Sequence, residues 1–382
     1  MKRLFSSSFT LGILGGGQLG KMLLYETRKW DIRTRVLDPS ADAPCAIAAN
    51  YFEVGSLMDY NTVLEFGRKV DVLTIEIEHV NTDALRQLAK EGITVHPNPE
   101  MLELIKDKGR QKIFYRAHGL PTAPFQLFAG KSELMSAELS FPCVWKSTTG
   151  GYDGKGVMVL RNADDLGTIP DQPCLIEQMA DFTHEIAVVM ARNENGEMMY
   201  YPVVEMEFHP VANLVEYVIC PARLPMDIQK KAIEIAEKTA EAFGICGLLA
   251  VEMFLLPNGE IWVNEVAPRT HNSGHLTIEG NTTNQFEQHI RAVLNLPLGS
   301  TEIKCPAVMV NLTGEDGHSG PVVYEGMEDL LGMSGVTPHI YGKSETRPFR
   351  KMGHVTIVDS SVEEARAKAE KAKDIIRVIS KA

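Results

Sequence analysis

Strand-like and helix-like segments alternate along residues 1–122 of this 382-residue chain. Because two parallel strands need a long crossover between them, usually a helix, this alternation predicts a parallel α/β sheet with helices on its faces. The five predicted strands are Leu11–Leu14, Thr34–Leu37, Tyr51–Val54, Val70–Ile77 and Thr94–Val95.

Two further units are predicted after a Pro-containing linker that ends near residue 124. Residues 123–205 are rich in short strands, and the last of these strands is predicted at Glu185–Arg192. Residues 206–382 combine further strands with an amphipathic helix at Asp227–Phe243. The chain as a whole is therefore predicted to be α/β and α+β, in three parts.

Composition excludes several classes of protein. A formal net charge of -12 argues against a duplex nucleic-acid partner, which favours a basic domain. The six cysteines form no C-x-x-C pair, which disfavours a disulfide framework or zinc site and is typical of a reducing cytoplasm. No apolar run reaches the ~18 residues of a membrane span, so no membrane partner is expected.

A glycine loop, Gly15-Gly16-Gly17-Gln18-Leu19-Gly20, joins the first strand to the first helix. Gly15, Gly17 and Gly20 match the dinucleotide fingerprint, and Asp38 ends the next strand. Such a loop lets backbone N–H groups and a helix N-terminus approach an anion. The alternatives are a tight turn without a ligand and a nicotinamide-binding site.

Two carboxylates are predicted to face each other across a hairpin. If Asn258-Gly259 forms a two-residue turn, Leu256 faces Ile261 and Glu252 faces Glu265, with Cβ atoms ~5 Å apart. Their face is predicted to include Ala250, Phe254, Ile261 and Val263, and Asn264 is predicted to lie on the other face. Paired acids of this kind need a cation, and hard oxygen ligands favour Mg²⁺ completed by substrate phosphates. Two exposed acids at a sheet edge are the alternative.

Two loops add charge and flexibility. The segment 148–156 contains glycines 150, 151, 154 and 156 between Lys146 and Lys155, which predicts a flap that folds over phosphates. The segment 264–275 carries amides, Arg269 and His271 directly after the carboxylate pair, which predicts an anion site. A plain flexible hairpin and a solvated loop are the respective alternatives. Of the other histidines, His79, His209, His318, His339 and His354 are interpreted as structural.

Four runs, 15–20, 150–156, 264–275 and 350–354, resemble signatures of the ATP-grasp superfamily and, within it, of the N5-carboxyaminoimidazole ribonucleotide synthetases. The resemblance implies an ATP-grasp fold with a Rossmann-like N-terminal domain (1–122), a lid domain (123–205) and a C-terminal domain (206–382). It implies a cytoplasmic, homodimeric ligase that uses ATP, bicarbonate and 5-aminoimidazole ribonucleotide in purine biosynthesis, with Mg²⁺ or Mn²⁺ bound by Glu252 and Glu265.

The resemblance also assigns roles residue by residue. It implies ATP contacts for Lys108, Lys146, Gly151, Asp153, Gly154, Glu177, Gln178, Met179, Ala180, Glu185 and Asn264. It implies ribonucleotide contacts for Gly16, Gly17, Gln18, Leu19, Glu76, Asn272, Ser273, Lys343 and Arg350, and catalytic roles for Tyr152, Lys155, Arg269 and His271. Phe349 departs from the family, which usually has Gly at this position.

Three alternatives to this function stay open from the sequence. A nicotinamide-dependent oxidoreductase would use the glycine loop and Asp38, but it leaves the carboxylate pair and segment 264–275 without a role. A catalytically silent nucleotide-binding protein is the second. Another ATP-grasp carboxylate–amine ligase, or a biotin carboxylase-like enzyme, is the third.

Overall fold

The computed structural model describes residues 3–150, 156–209 and 214–381. Its N-terminal part is a parallel sheet of five strands, as predicted, and the strand order is β3-β2-β1-β4-β5. The strands are β1 (Thr10–Leu14), β2 (Arg33–Asp38), β3 (Tyr51–Val54), β4 (Val72–Ile75) and β5 (Thr94–Val95). The helices are α1 (Gln18–Lys29), α2 (Tyr60–Gly67), α3 (Thr82–Lys90), α4 (Pro99–Ile105) and α5 (Lys108–Ala117). The central strands β1 and β4 are buried on both faces, which explains their continuous apolar runs.

A four-stranded antiparallel sheet follows, in the order β6-β9-β7-β8. Its elements are β6 (Phe125–Phe128), α6 (Lys131–Met135), β7 (Cys143–Ser147), β8 (Val157–Leu160) and β9 (Cys174–Gln178), with a 3-10 helix at Ala163–Thr168. Burial alternates along β7, so Trp145 packs into the core of this unit while Lys146 lies on the opposite face.

The largest sheet has nine strands, in the order β15-β14-β10-β12-β13-β16-β20-β18, with β11 paired to β10. These strands are β10 (His184–Arg192), β11 (Met198–Tyr200), β12 (Val204–Phe208), β13 (Val215–Cys220), β14 (Gly247–Leu255), β15 (Ile261–Ala267), β16 (Ala307–Thr313), β18 (Val336–Ile340) and β20 (Lys351–Val358). The strand predicted at Glu185–Arg192 therefore belongs to this sheet, because β10 pairs along its whole length with β14 rather than with the four-stranded sheet.

Helices cover the large sheet, and a small sheet in the order β19-β17-β21 closes the chain. The remaining elements are α7 (Met226–Phe243), α8 (Thr277–Gly280), α9 (Gln285–Val293), β17 (Gly320–Glu325), α10 (Met327–Leu331), β19 (Glu345–Thr346), α11 (Val362–Ile375) and β21 (Arg377–Ser380). Helix α7 packs on β10 and β14 through Ala232, Ala236 and Ala240, all fully buried, because these small side chains allow close approach to the sheet.

The hairpin β14–β15 differs from its prediction in an informative way. Leu256 N–H donates to the Glu260 carbonyl (2.8 Å), so the loop has three residues, with Gly259 at φ +79°, and the strands start one residue out of the predicted register. A β-bulge at Asn264 then shifts the register back, and Glu252 pairs with Glu265 after all.

The bulge also changes which side chains share a face. Val263 and Val266 both pack in the core under α7, so the two residues between them, Asn264 and Glu265, both turn toward the other face. The predicted faces of Ile261, Val263 and Asn264 were therefore wrong. Side chains of a regular strand alternate between the two faces of the sheet, and the extra residue of a bulge interrupts this alternation.

Candidate active site

Three carboxylates lie on one face of three neighbouring strands. Glu252 on β14 pairs with Glu265 on β15, which confirms the predicted opposition. Glu185 on β10 pairs with Phe254, two residues from Glu252 on the same face. Burial, together with the charges of Glu252 and Glu265, raises the pKa of Glu185 to about 8. Such an excess of negative charge requires a cation.

Lysines from two other elements border this acidic face. Lys108, at the start of α5, places Nζ 2.5 Å from Glu265 Oε2, and its charge lowers the pKa of Glu265 to about 2. Lys146 on β7 places Nζ 3.1 Å from Asn264 Oδ1. The structure thus brings together the two lysines and the acids that the sequence placed in one site.

Glu177, which was predicted to contribute to an adenine-binding hinge, has its carboxylate between two lysines. Its side chain is buried, with Oε2 2.7 Å from Lys146 Nζ and Oε1 2.7 Å from Lys112 Nζ. Burial opposes the charged form, but Lys146 and Lys112 outweigh it and lower the pKa of Glu177. The carboxylate is therefore paired with two lysines, and an adenine-binding hinge at Glu177, Gln178, Met179 and Ala180 stays a prediction. Lys112 was not predicted from the sequence, where its only signal is its position one helical turn after Lys108.

Segment 264–275 continues the site beyond the acids. His271 Nε2 lies 3.1 Å from Glu252 Oε1, while Ser273 N–H donates to His271 Nδ1 (3.3 Å). Gln285, at the start of α9, accepts from His271 N–H (2.9 Å) and donates to its carbonyl (2.8 Å), which holds the loop in place. Gln285 was also missed, because it lies 14 residues further along the chain.

Arg269 points toward the N-terminal sheet. Its Nε lies 2.9 Å from Glu78 Oε1, in the segment that follows β4. The positive charge of Arg269 also acts on buried Glu76, whose pKa burial nevertheless raises. Glu78 was not predicted, although it stands two residues after Glu76 in the same acidic segment.

The glycine loop is capped by the protein's own carboxylates. Gly16 N–H donates to Asp38 Oδ2 (2.7 Å), and Leu19 N–H donates to Glu76 Oε1 (3.2 Å). A Cβ on Gly17 would stand 2.3 Å from Glu76 Oε1, so the glycine is needed for this close approach. The nicotinamide alternative is weakened, because Asp38, which should bind a ribose, is used to cap the loop.

The remaining predicted substrate residues lie on two separate segments. Asn272 and Asn311 exchange amide hydrogen bonds of 3.2 and 2.8 Å, which fixes the loop against β16. Lys343 Nζ donates to the Lys351 carbonyl (2.6 Å), and Arg350 Nη1 donates to the Glu345 carbonyl (2.6 Å). Both cations thus lie in the connection between β18 and β20 and contact backbone oxygens there.

That connection docks on the helix that follows the glycine loop. Lys21 of α1 is nearly buried, and its Nζ donates to the Ile340 carbonyl (3.2 Å). The segment carrying Lys343 is thereby placed beside Gln18, which lines the same small cleft as Lys21 and Tyr341. The predicted residues Gly151, Tyr152, Asp153, Gly154 and Lys155 lie outside the described residues.

An acidic face of the large sheet, bordered by Lys108 of helix α5 and Lys146 of the separate four-stranded sheet, is typical of an ATP-grasp protein, and the family models agree. The ATP-grasp domain model matches residues 113–286, and the ribonucleotide synthetase preATP-grasp domain model matches residues 8–106. The phosphoribosylaminoimidazole carboxylase C-terminal domain model matches residues 307–368. The chain belongs to the N5-carboxyaminoimidazole ribonucleotide synthetase family of ATP-grasp ligases.

Individual relatives agree with this assignment. The chain is 36% identical to N5-carboxyaminoimidazole ribonucleotide synthase of Bacillus subtilis, with 95% of each chain covered. It is 39% identical to phosphoribosylaminoimidazole carboxylase of Ogataea methanolica, where 93% of this chain spans 67% of that longer protein.

Solved structures show the same fold. The crystal structure of N5-carboxyaminoimidazole ribonucleotide synthetase from Thermotoga maritima superimposes with a TM-score of 0.90 at 43% identity, covering 98% of this chain and all of that chain. The Aspergillus clavatus synthase in complex with ADP and 5-aminoimidazole ribonucleotide gives a TM-score of 0.88 at 34% identity, covering 96% and 98% of the two chains. Among the described residues, no helix is both long and apolar enough to cross a membrane.

Proposed function

We propose that this chain carboxylates 5-aminoimidazole ribonucleotide with bicarbonate at the expense of ATP, forming N5-carboxyaminoimidazole ribonucleotide, ADP and phosphate for purine biosynthesis. The observation that carries the proposal is the position of the acid pair. Glu265 contacts Lys108, and Glu252 contacts His271 of segment 264–275, the segment whose Arg269 pairs with Glu78 after β4. One acidic centre therefore adjoins residues proposed to bind the nucleotide and residues proposed to bind the carboxyl group.

The first half of the reaction activates bicarbonate, which is a poor electrophile. An oxygen of bicarbonate attacks the γ-phosphorus of ATP, ADP leaves, and carboxyphosphate forms. Lys108 and Lys146 compensate the charge on the phosphates, which is the main contribution a protein makes to phosphoryl transfer. The predicted flap at 148–156 is proposed to exclude water, because carboxyphosphate is short-lived in water.

The residues present fit a divalent cation. Glu252 and Glu265 lie opposite each other, Glu185 lies on the same face of the sheet, and Lys108 already contacts Glu265 as a cation would. Mg²⁺, or Mn²⁺ in its place, would be held by Glu252 and Glu265 and would neutralise charge on the transferred phosphoryl group.

In the second half, the amine of the ribonucleotide attacks the carboxyl carbon, the C–O bond to phosphate breaks, and the nitrogen loses a proton. Arg269 and His271 are proposed to orient the carboxyl group, because they lie just beyond the acid pair. The ribonucleotide is proposed to bind at the glycine loop, Glu76, Asn272, Ser273, Lys343 and Arg350. The Aspergillus clavatus complex, which holds ADP and this ribonucleotide together, supports two adjoining subsites.

The test is ADP release measured with and without bicarbonate and 5-aminoimidazole ribonucleotide. We expect turnover to require both, and Arg269→Ala to abolish coupled product formation. Arg377→Ala is the matched control, because Arg377 pairs with Glu315 on the surface outside the site. ATP turnover indifferent to both substrates, or normal coupling in Arg269→Ala, would refute the proposal.

Two further properties are proposed from the sequence and the family. A homodimer is tested by sedimentation of the purified chain. A cytoplasmic location is supported by six free thiols, five of them buried, and is tested by cell fractionation.

A further inference from the structure

Lys112 is a buried charge in the middle of the nucleotide side of the site. Only 3% of its surface is exposed, and it lies on α5 one turn after Lys108. Its Nζ lies 2.7 Å from Glu177 Oε1 and donates to Thr122 Oγ1 (2.5 Å). A buried ammonium is costly unless it is paired and hydrogen-bonded, and these two contacts meet that requirement for Lys112.

Two paths of ion pairs and hydrogen bonds lead from Lys112 to the strand that carries Glu265. In one, Glu177 binds Lys146, and Lys146 binds Asn264. In the other, Thr122 Oγ1 donates to the carbonyl of Val263 (2.8 Å). The two paths end at consecutive residues, on either side of the start of the bulge that turns Glu265 into the site.

The net charge of the group formed by Lys112, Glu177 and Lys146 depends on Lys112. Lys112, Glu177 and Lys146 together carry one net positive charge. If Lys112 is removed, Glu177 neutralises Lys146 and draws it closer, so the phosphates of a nucleotide meet no net charge from this group. With Lys112 present, Glu177 is shared, and Lys146 keeps part of its attraction for phosphate.

We infer that Lys112 is a positioning residue for the nucleotide, acting through Glu177 to aim Lys146 and keep its charge available to the phosphates. The inference rests on the proposed function, in which Lys108 and Lys146 bind the phosphates of ATP. No contact between Lys112 and the nucleotide is required.

The proposed role of Lys112 predicts a specific pH dependence of nucleotide affinity. Burial, reinforced by Lys146 and Lys108 and opposed by Glu177, lowers the pKa of Lys112 to about 8. The groups facing it are Glu177 on β9, Lys146 on β7, and Lys108 and Tyr115 on its own helix. Above this pKa the local charge falls by one, and nucleotide affinity should fall with it.

Folding stability has the opposite dependence on pH. Because the folded pKa of Lys112 lies below its ordinary value of 10.5, the unfolded chain binds more protons between these two values. Titration of Lys112 therefore makes the fold more stable as pH rises from about 8 toward 10.5. Weaker nucleotide binding in this range cannot be attributed to unfolding caused by Lys112.

The experiment measures the dissociation constant of MgADP by calorimetry at pH 7 and pH 9, for the whole chain. At pH 7 we expect Lys112→Met to weaken binding about tenfold, or about 1.4 kcal/mol, because Glu177 then neutralises Lys146. Lys106→Met is the matched control, because Lys106 is a partly buried lysine whose Nζ donates to the Val80 carbonyl outside the site. The Lys106→Met variant should bind MgADP like the parent chain.

A double variant tests the mechanism. Lys112→Met with Glu177→Gln leaves Lys146 without a competing carboxylate, so it should bind MgADP more tightly than Lys112→Met alone. A purely structural role predicts further weakening instead. The affinity loss between pH 7 and pH 9 should also be smaller in Lys112→Met than in the parent chain; any loss that both share belongs to other groups, such as Glu185.

Three results would overturn the inference: unchanged MgADP affinity in Lys112→Met, no recovery in the double variant, or equal pH dependence in both chains. If Lys112→Met fails to fold, Lys112→Arg replaces it in the pH comparison. Arg stays charged at pH 9, so its affinity should not fall there as the parent's does. MgADP binding needs neither bicarbonate nor the ribonucleotide, so failure here is separate from failure of the carboxylation assay.

Discussion

Arg269 and Glu78 form an ion pair, with Nε 2.9 Å from Oε1, that links the end of β15 to the segment after β4. The pair crosses from the large sheet to the N-terminal sheet. It therefore fixes the guanidinium at the boundary where the proposed carboxylation takes place.

Glu78→Gln should lower the rate of ribonucleotide-dependent ADP release about tenfold, because a misplaced positioning group commonly costs one to two orders of magnitude. MgADP affinity should stay unchanged, since Glu78 does not contact the lysines of the nucleotide side. Steady-state kinetics measures the rate of ADP release, and calorimetry measures the MgADP affinity. Glu315→Gln, which disrupts a surface pair with Arg377, is the control, and an unchanged rate in Glu78→Gln would contradict the prediction.

Glu252→Gln should weaken MgADP binding at least tenfold while leaving binding of metal-free ADP unchanged, because one of two facing ligands loses its charge. The same change removes a charge that raises the pKa of Glu185, so this pKa should fall toward its ordinary value. Calorimetry with and without Mg²⁺ measures the first effect and NMR titration the second. Glu260→Gln at the exposed hairpin loop is the control; equal loss with and without metal would refute the assignment.

Phe349 stands at φ +60°, in a turn closed by Arg350 N–H donating to the Arg347 carbonyl (3.0 Å). Pro348 precedes it, so Phe349 occupies the turn position that favours Gly. Phe349→Gly should raise the free energy of unfolding by about 1 kcal/mol, because the left-handed backbone costs other residues about 1–2 kcal/mol. Phe349→Ala keeps this cost and should not stabilise. Urea unfolding compares the three chains, and equal stability of the Gly and Ala variants would count against the strain.

His275, His289 and His354 are fully buried, and burial lowers the pKa of each, to about 3 for His289. They stay neutral when folded, whereas the unfolded chain protonates them below about pH 6.5. Stability should therefore fall with acid, by about 2 kcal/mol per histidine between pH 7 and pH 5.

His289→Gln tests this, because His289 contacts Thr74 Oγ1 (2.9 Å) and accepts from Leu248 N–H (3.2 Å), and Gln keeps polar atoms there. The slope of unfolding free energy against pH should decrease by about 1.4 kcal/mol per pH unit below pH 6. Urea unfolding at several pH values measures the slope. Identical slopes for the parent chain and the variant would mean that His289 is not buried neutral.

Much of the site was visible in the sequence because its residues lie close together along the chain. The glycine loop, the acid pair of one hairpin and segment 264–275 each depend on interactions between residues that are near each other in the sequence. The opposition of Glu252 and Glu265 was predicted, but the hairpin loop and the bulge at Asn264 each shift the register by one residue, and the two shifts compensate.

Lys112, Glu78 and Gln285 could not be found in this way, because their partners lie far away in sequence. Lys112 meets Glu177 across 65 residues, and Glu78 meets Arg269 across 191. The only sequence signals for Lys112 and Glu78 were their short spacings from Lys108 and Glu76, and their partners are known only once distant segments have packed.

The amino-acid sequence by itself determined the parallel sheet, the family signatures and the identity of the acid pair, because hydrophobic periodicity and turn chemistry act over a few residues. Only the tertiary structure decided which carboxylates cap the glycine loop, which face Asn264 takes, and how Glu177 is shared between two lysines. Those outcomes depend on burial and charge pairing between segments that meet only in the folded chain.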